Sequence, residues 1–296
     1  MKVRWIILCA FTLIAHSLLA QNYAFKVLAS KGKTEVKSAD SWQTIKVGAS
    51  LNLTDEIKVS ENSYLGLVHQ NGKPVELKQA GSHKVSDLVQ RAGSGTTVLM
   101  KYTDFILSSN QEKKNRLTAT GAVHRGVKET ITLLLPGKEK ADLYGDQLAL
   151  QWITKDVPGP YKVIVTDFMD EKLAEFETTE KSLMVSFKEG NLKNATNVLI
   201  KVVSKSRPNE GSTDYSVRRL TGPDREKYAP TVTEFSSSLE EGSALSKYIL
   251  AGFYEEQFLL NDALTAYQEA IKLAPDVDLY KEAYAEFITR LGFEVK

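Results

Sequence analysis

From Phe25 to Gln79 the chain alternates apolar and polar residues in short runs: FKVLAS, KTEVKS, WQTIKVG, LNLTDEIKVS, SYLGLVHQ and PVELKQ. A period of two sends successive side chains to opposite faces of a strand. The pairs Ile45 and Val47, Leu51 and Leu53, Ile57 and Val59, Leu65 and Leu67, Val75 and Leu77 therefore predict strands with one buried face each. Turn residues punctuate the runs at Lys31-Gly32, Val47-Gly48, Glu61-Asn62 and Asn71-Gly72-Lys73, the last being the strongest hairpin signal in the chain. The pattern then changes. In DLVQRAGSGTTVLMKYTDFILSS the apolar positions Leu88 and Val89, then Val98, Leu99, Tyr102, Phe105 and Ile106, follow a period near 3.6. That spacing predicts two short helices covering the β-domain, the second capped by Ser94 or Thr96.

After QEKKNR and LTATGAVHRG a second alternating region runs from Thr130 to about Leu220, with LALQW, YKVIVTDF, SLMVSF, NVLIKVVS and DYSVRRL as its strands. ProGlyProTyr at 158–161, GluGlyAsn at 189–191 and ProAsnGluGlySer at 208–212 supply its turns. Strands at this spacing fit a β-sandwich, and Trp152 ends an alternating run where immunoglobulin-like and fibronectin-like sandwiches carry a core tryptophan. Without paired cysteines the likeness is one of architecture, and such sandwiches serve many functions.

Asp224 to Glu241 reads as a polar, serine-containing linker, and ALSKYILAGFYEEQFLLNDALTAYQEAIKLAPD after it is helical. Leu250, Ala251 and Tyr254 on a first helix, Ala263, Tyr267 and Ala270 on a second, and Pro275 at the end form a pattern similar to a tetratricopeptide repeat. Small alanines let paired helices approach and tyrosines fill the gaps. Lys247 stands where that family has a large aromatic. DLYKEAYAEFITRLGF adds Leu279, Ala283, Tyr284, Phe287, Ile288 and Leu291 as a third helix. A single repeat falls short of the roughly three that stand alone. The unit must therefore dock on the sandwich or join a partner's repeats.

In the first domain, Trp42 with the apolar pair and Gly48 behind it, Asp55 leading into Ile57-Lys58-Val59, Asn62-Ser63-Tyr64-Leu65-Gly66-Leu67, and Asn71-Gly72-Lys73 before Val75 and Leu77 carry a second resemblance. Residues 25 to 85 resemble the FecR-type domain, an exported all-β module of bacterial envelope proteins. The matching residues are structural: Gly48, Gly72 and Asp55 for turns, Trp42 for packing. In that family the module is the periplasmic part of regulators with a cytoplasmic helical segment and a membrane span ahead of it. Here only a leader precedes it, so the resemblance implies the module and not the signalling role.

That leader is MKVR, the apolar run WIILCAFTLIA and the small-residue segment HSLLAQ, the layout of a secretory signal. Its apolar run is shorter than the ~20 residues a membrane-spanning helix needs, and no later stretch is long enough to span. Export to the periplasm or beyond is expected, with domains at 1–20 (signal), 22–120 (FecR-like β with helical extension), 125–222 (sandwich) and 240–296 (helical unit). Cys9, the only cysteine, lies in the leader, so the exported chain has no disulfide, thiolate metal site or cysteine nucleophile. Losing Lys2 and Arg4 takes the balance from 38 basic and 37 acidic residues to 36 against 37, which leaves no electrostatic footprint for nucleic acid.

Candidate chemistry is sparse. GlySerGlyThrThr at 93–97 lacks the Gly-Lys-Ser/Thr ending of a phosphate-binding loop. His69, His83 and the junction pair His124-Arg125 are isolated from other ligand-type residues at metal spacing. No catalytic, cofactor-binding or metal-binding residue is assigned, and no cofactor is expected. The sequence thus predicts a mainly β, multidomain, non-catalytic protein: an exported envelope adaptor binding other envelope proteins through its helical unit and β-modules. The alternative is a glycan or peptidoglycan-binding module centred on the first domain, with Tyr64, His69 and Gln70 as exposed candidates.

Overall fold

The computed structural model describes residues 23–38, 41–112, 130–137 and 141–293. The leader at 1–20 and the junction pair His124-Arg125 lie outside the described residues. The chain divides after Ser94 into two compact units, whereas the sequence pattern carried the first domain to residue 120.

The first unit holds strands β1 (Phe25–Lys31), β2 (Thr34–Ser38), β3 (Ser41–Thr44), β4 (Ser50–Leu51), β5 (Glu56–Val59), β6 (Tyr64–His69), β7 (Pro74–Leu77) and β8 (Gly81–Lys84), then helix α1 (Val85–Ala92). They form two antiparallel sheets, ordered β4-β1-β6-β7 and β3-β2-β5-β8. Phe25, Val27, Leu51, Leu65, Leu67, Val75 and Leu77 of one sheet and Ile57 and Val59 of the other share one core, which Val85 and Leu88 of α1 close. Burying each such side chain contributes about 1.5–3 kcal/mol, so this unit stands on its own core without a disulfide. The predicted hairpin at Asn71-Gly72 joins β6 and β7, with Gly72 at φ 89°. Asp55 closes the turn before β5 by accepting Asn52 N–H at 2.8 Å. Gly32 has φ 74°, and a Cβ there would stand 2.5 Å from Ser63 Oγ, so only glycine fits between β1 and β2.

Three expectations for this unit are corrected. Val47 and Leu53 are exposed turn residues, because β3 ends at Thr44 and β4 at Leu51. β6 and β7 are buried on both faces rather than one. Trp42, assigned to packing, lies on the edge strand β3 and is 40% exposed.

The second unit begins with α2 (Thr97–Glu112), which Thr96 caps by accepting Leu99 N–H at 3.2 Å. Its strands are β9 (Ile131–Leu133), β10 (Asp142–Leu143), β11 (Gln147–Thr154), β12 (Tyr161–Thr166), β13 (Lys172–Thr178), β14 (Ser182–Ser186), β15 (Asn197–Ser204) and β16 (Tyr215–Arg219). Helices α3 (Gly222–Glu226), α4 (Ala229–Ser237), α5 (Ala244–Glu256), α6 (Leu260–Leu273) and α7 (Asp278–Arg290) follow. The strands make a five-stranded sheet, β10-β16-β15-β12-β13, and a three-stranded sheet, β14-β11-β9. Trp152 of β11, 1% exposed, meets Tyr161 of β12 edge to face at 5.5 Å, so the core lies between the two sheets.

Two further expectations change here. Residues 224–241 are not a linker: α3 and α4 occupy most of this span, and Val232 and Phe235 are buried. The second predicted helix, α2, belongs to the second unit, where Tyr102 meets Phe235 of α4 at 5.3 Å and Phe253 of α5 at 5.8 Å. The fold is thus mainly β with a C-terminal region of several helices.

Candidate functional site

The repeat-type residues assigned from sequence lie where α5, α6 and α7 meet. Ala251, Ala263 and Ala270 have no exposed surface and Tyr267 is buried, while Leu250 and Tyr254 are half-buried and Pro275 is exposed in the turn after α6. Aromatic rings fill the gaps: Tyr248 lies 6.2 Å from Tyr267 and 5.6 Å from Tyr280, and Tyr267 lies 5.3 Å from Phe287. Lys247, at the position expected to hold a large aromatic, pairs with Glu269 at 2.6 Å. Burial pushes the Tyr254 and Tyr267 phenols above their ordinary range, with nearby carboxylates adding to it. Ala251, Ala263, Tyr267 and Ala270 thus pack inside the helical region.

The opposite face of α6 does something the sequence reading missed. Asn261, Asp262, Thr265 and Gln268 occupy one helical face by their spacing. These side chains bind the backbone of β10, of the β10–β11 turn and of the start of β11. Asn261 donates to Asp142 O at 3.1 Å. Asp262 accepts Tyr144 N–H at 2.8 Å and Gly145 N–H at 2.6 Å. Thr265 Oγ1 accepts Ala149 N–H at 3.0 Å, and Gln268 donates to the Gln151 side chain at 2.8 Å. Tyr284 of α7 donates to the same Gln151 oxygen. Arg225 of α3 stacks on the Tyr144 ring at 4.2 Å and donates to its carbonyl. Of the two arrangements left open for the helical unit, docking on the β-region is the one observed. A signal was present: a solvated helix face is usually Lys and Glu, whereas this one carries short Asn, Asp and Thr side chains suited to fixed backbone contacts.

Two exposed surfaces stand out among the described residues. One is the β12–β13 turn. Asp167 Oδ1 accepts Met169 N–H at 2.8 Å and Glu171 N–H at 2.9 Å, and Asp170 adopts φ 62°. This ordered turn holds Phe168 60% and Met169 90% exposed. The other is the outer face of the sheet β3-β2-β5-β8. Because Ile57 and Val59 point into the core, the rows between them point out. The pairings place Trp42, Lys37, Glu56 and Lys84 side by side in one row. Thr44, Glu35, Lys58 and Ser82 make the next.

The residues proposed for a glycan do not gather on a surface. Tyr64 is buried and donates to Glu76 Oε1 at 2.6 Å, and His69 is buried edge-on to Phe25 at 5.1 Å. Of the three, Gln70 alone is exposed. They look exposed in sequence because β6 reads as a half-buried strand. His83 is half-buried, with Nε2 3.4 Å from Gln79 O. Among the described residues no group of three or more His, Cys, Asp or Glu side chains is placed to hold a metal ion, and no helix is long and apolar enough to cross a membrane. No family model and no curated protein matches the chain.

Proposed function

We propose that the protein is an exported, non-catalytic adaptor of the bacterial envelope that binds other envelope proteins. The proposal includes the finer resemblances: a FecR-like first module, a fibronectin-like or immunoglobulin-like second, and a tetratricopeptide-like helical unit. The observation that carries it is the β12–β13 turn, where Asp167 holds Phe168 and Met169 outward on an ordered frame. Large apolar side chains grouped at an ordered tip mark a contact that a partner covers. Asp170 and Glu171 flank them, which fits a partner surface with an apolar floor and a basic rim.

Support for a contact through the helical unit is weaker than the sequence implied. Its helices pack within this chain against α2 and α4 on one side and against β10 and β11 on another. A truncation at Glu240 would remove the side chains that bind β10, the turn after it and β11, and would destroy the fold along with any contact, so a point probe is the proper test. A photo-cross-linking residue at position 169, compared with one at the exposed Lys181 at the other end of the hairpin, should trap discrete envelope proteins from position 169 alone. Equal trapping at both positions, or none at either, would overturn the reading.

A further inference from the structure

We infer that the outer face of the sheet β3-β2-β5-β8 is a glycan-binding platform, with the Trp42 ring as the stacking surface for a sugar and the neighbouring Lys and Glu side chains as hydroxyl and amide partners. The first observation is exposure. Trp42 is 40% exposed, whereas Trp152 is sealed in a core. An amphipathic ring left open on an otherwise polar surface has contact area to offer and a polar N–H to direct it.

The second observation is the face around it. Lys37 and Glu56 follow Trp42 in register across adjacent strands, and Glu35 and Lys58 follow Thr44 in the next row. Lys33 pairs with Glu35 at 3.4 Å at its border. Four strands at a spacing of about 4.8 Å make a flat bed roughly 14 Å across, long enough for a short oligosaccharide. Cations and anions alternate on it, so it presents both donors and acceptors and little net field.

That pattern discriminates among ligand classes. Protein interface cores are depleted of Lys and Glu, which are what this bed is made of. Nucleic acid would need a continuous basic track beside the stacking ring, and Glu35 and Glu56 interrupt it. A lipid surface would need an apolar wedge, and a single ring does not supply one. A chain of neutral hydroxyl and amide groups with an apolar sugar face matches each feature. This inference is independent of the adaptor reading, because it requires no protein partner.

Trp42 also reports on its own site. The purified full-length protein is titrated with the linear hexasaccharide of N-acetylglucosamine while tryptophan emission is followed, and is then sedimented with purified cell-wall sacculi. A saturable emission change and pelleting above a control protein are expected. Trp42→Ala, which removes the reporter and is read by pelleting alone, should weaken pelleting at least tenfold, while Trp42→Phe, which keeps a ring, should pellet within about threefold of the parent. All three proteins should share one melting midpoint, since Trp42 belongs to no core. No saturable change together with no pelleting, equal binding by Trp42→Ala, or tighter binding of heparin than of the hexasaccharide would each overturn the inference.

Discussion

Asp262 and Gly145 are 117 residues apart in the chain, yet Gly145 N–H donates to Asp262 Oδ1 at 2.6 Å while Tyr144 N–H donates to Oδ2 at 2.8 Å. One carboxylate thereby joins the helical region to the β-region. An open strand edge is costly if buried, because each unpaired N–H loses its water without replacement. Here Asn261, Asp262 and Thr265 of α6 supply the partners, to Asp142 O and to the Tyr144, Gly145 and Ala149 N–H groups. The helical unit and the sheets consequently form one unit.

Removing that carboxylate should be expensive. Asp262→Ala leaves the buried Tyr144 N–H and the half-buried Gly145 N–H without acceptors, so a loss of about 3 kcal/mol is expected. Read near pH 4, before burial of the charge weighs on the parent, Asp262→Asn keeps one acceptor oxygen and should lose about half as much, and that loss should shrink as pH rises toward 7. Urea unfolding followed by the emission of buried Trp152 reads both, and a loss under ~0.5 kcal/mol in the alanine variant would mean that water replaces the carboxylate.

The same group sets a pH dependence. Burial pushes the Asp262 carboxyl up to about 7 from 3.8, against the pull of the two backbone N–H groups and Arg225. The folded protein then binds a proton between pH 4 and 7 that the unfolded chain has released. Stability from this group is full below pH 4 and declines by up to about 1.4 kcal/mol per pH unit as pH rises toward 7. Glu256 is also raised by burial and adds in the same direction, so the informative quantity is a difference. Asp262→Asn should flatten the slope between pH 4 and 7, and an unchanged slope would place the proton elsewhere.

How far this arrangement was legible in the sequence varies with the kind of signal. Period-two runs located most strands of both β-regions, since alternation follows directly from one-sided burial. β13 escaped because KLAEFET is an exposed to half-buried edge strand whose Glu175 and Glu177 pair with lysines instead of packing. Val47 and Leu53 misled because an apolar residue in a turn looks the same as one in a strand. The α4 segment looked like a linker because its proline and serines hide a two-residue core contact, Val232 and Phe235. The exposure of Trp42 was not legible, since a tryptophan in a β-pattern is read as core unless the register of its strand is known. The docking face of α6 left a trace in its short Asn, Asp and Thr side chains, but its partners, more than a hundred residues away, were not legible.

Gly145 tests the closeness of that docking. A Cβ built there would stand 2.9 Å from Asp262 Oδ1, inside ordinary contact. Gly145→Ala should therefore push the carboxylate off its donors and cost about 1–3 kcal/mol, measured by the same urea titration. In the Asp262→Ala background the clash is gone, and the added methyl should cost less than ~0.5 kcal/mol. Additive costs would show that the two residues do not act on each other.

The aromatic cluster offers a test of why α2 sits in the second unit. Phe235 and Phe253 stack at 4.1 Å with their planes 9° apart, and Tyr102 of α2 lies edge-on to both. Tyr102 also closes over Gly252, where a Cβ would lie 3.2 Å from its hydroxyl oxygen. Leu99 and Ile106 are buried beside it on the same helix. Phe253→Ala removes the ring shared by α2, α4 and α5, and should cost about 3–5 kcal/mol. The loss should not be uniform. Amides of α2 around Leu99 to Thr103 should gain hydrogen exchange far more than those of β12, whose Val163 and Val165 are buried in the separate core beside Trp152. Equal acceleration in α2 and β12 would mean that the helices and sheets unfold together and that the docking face of α6, not the aromatic cluster, governs the stability of the whole unit.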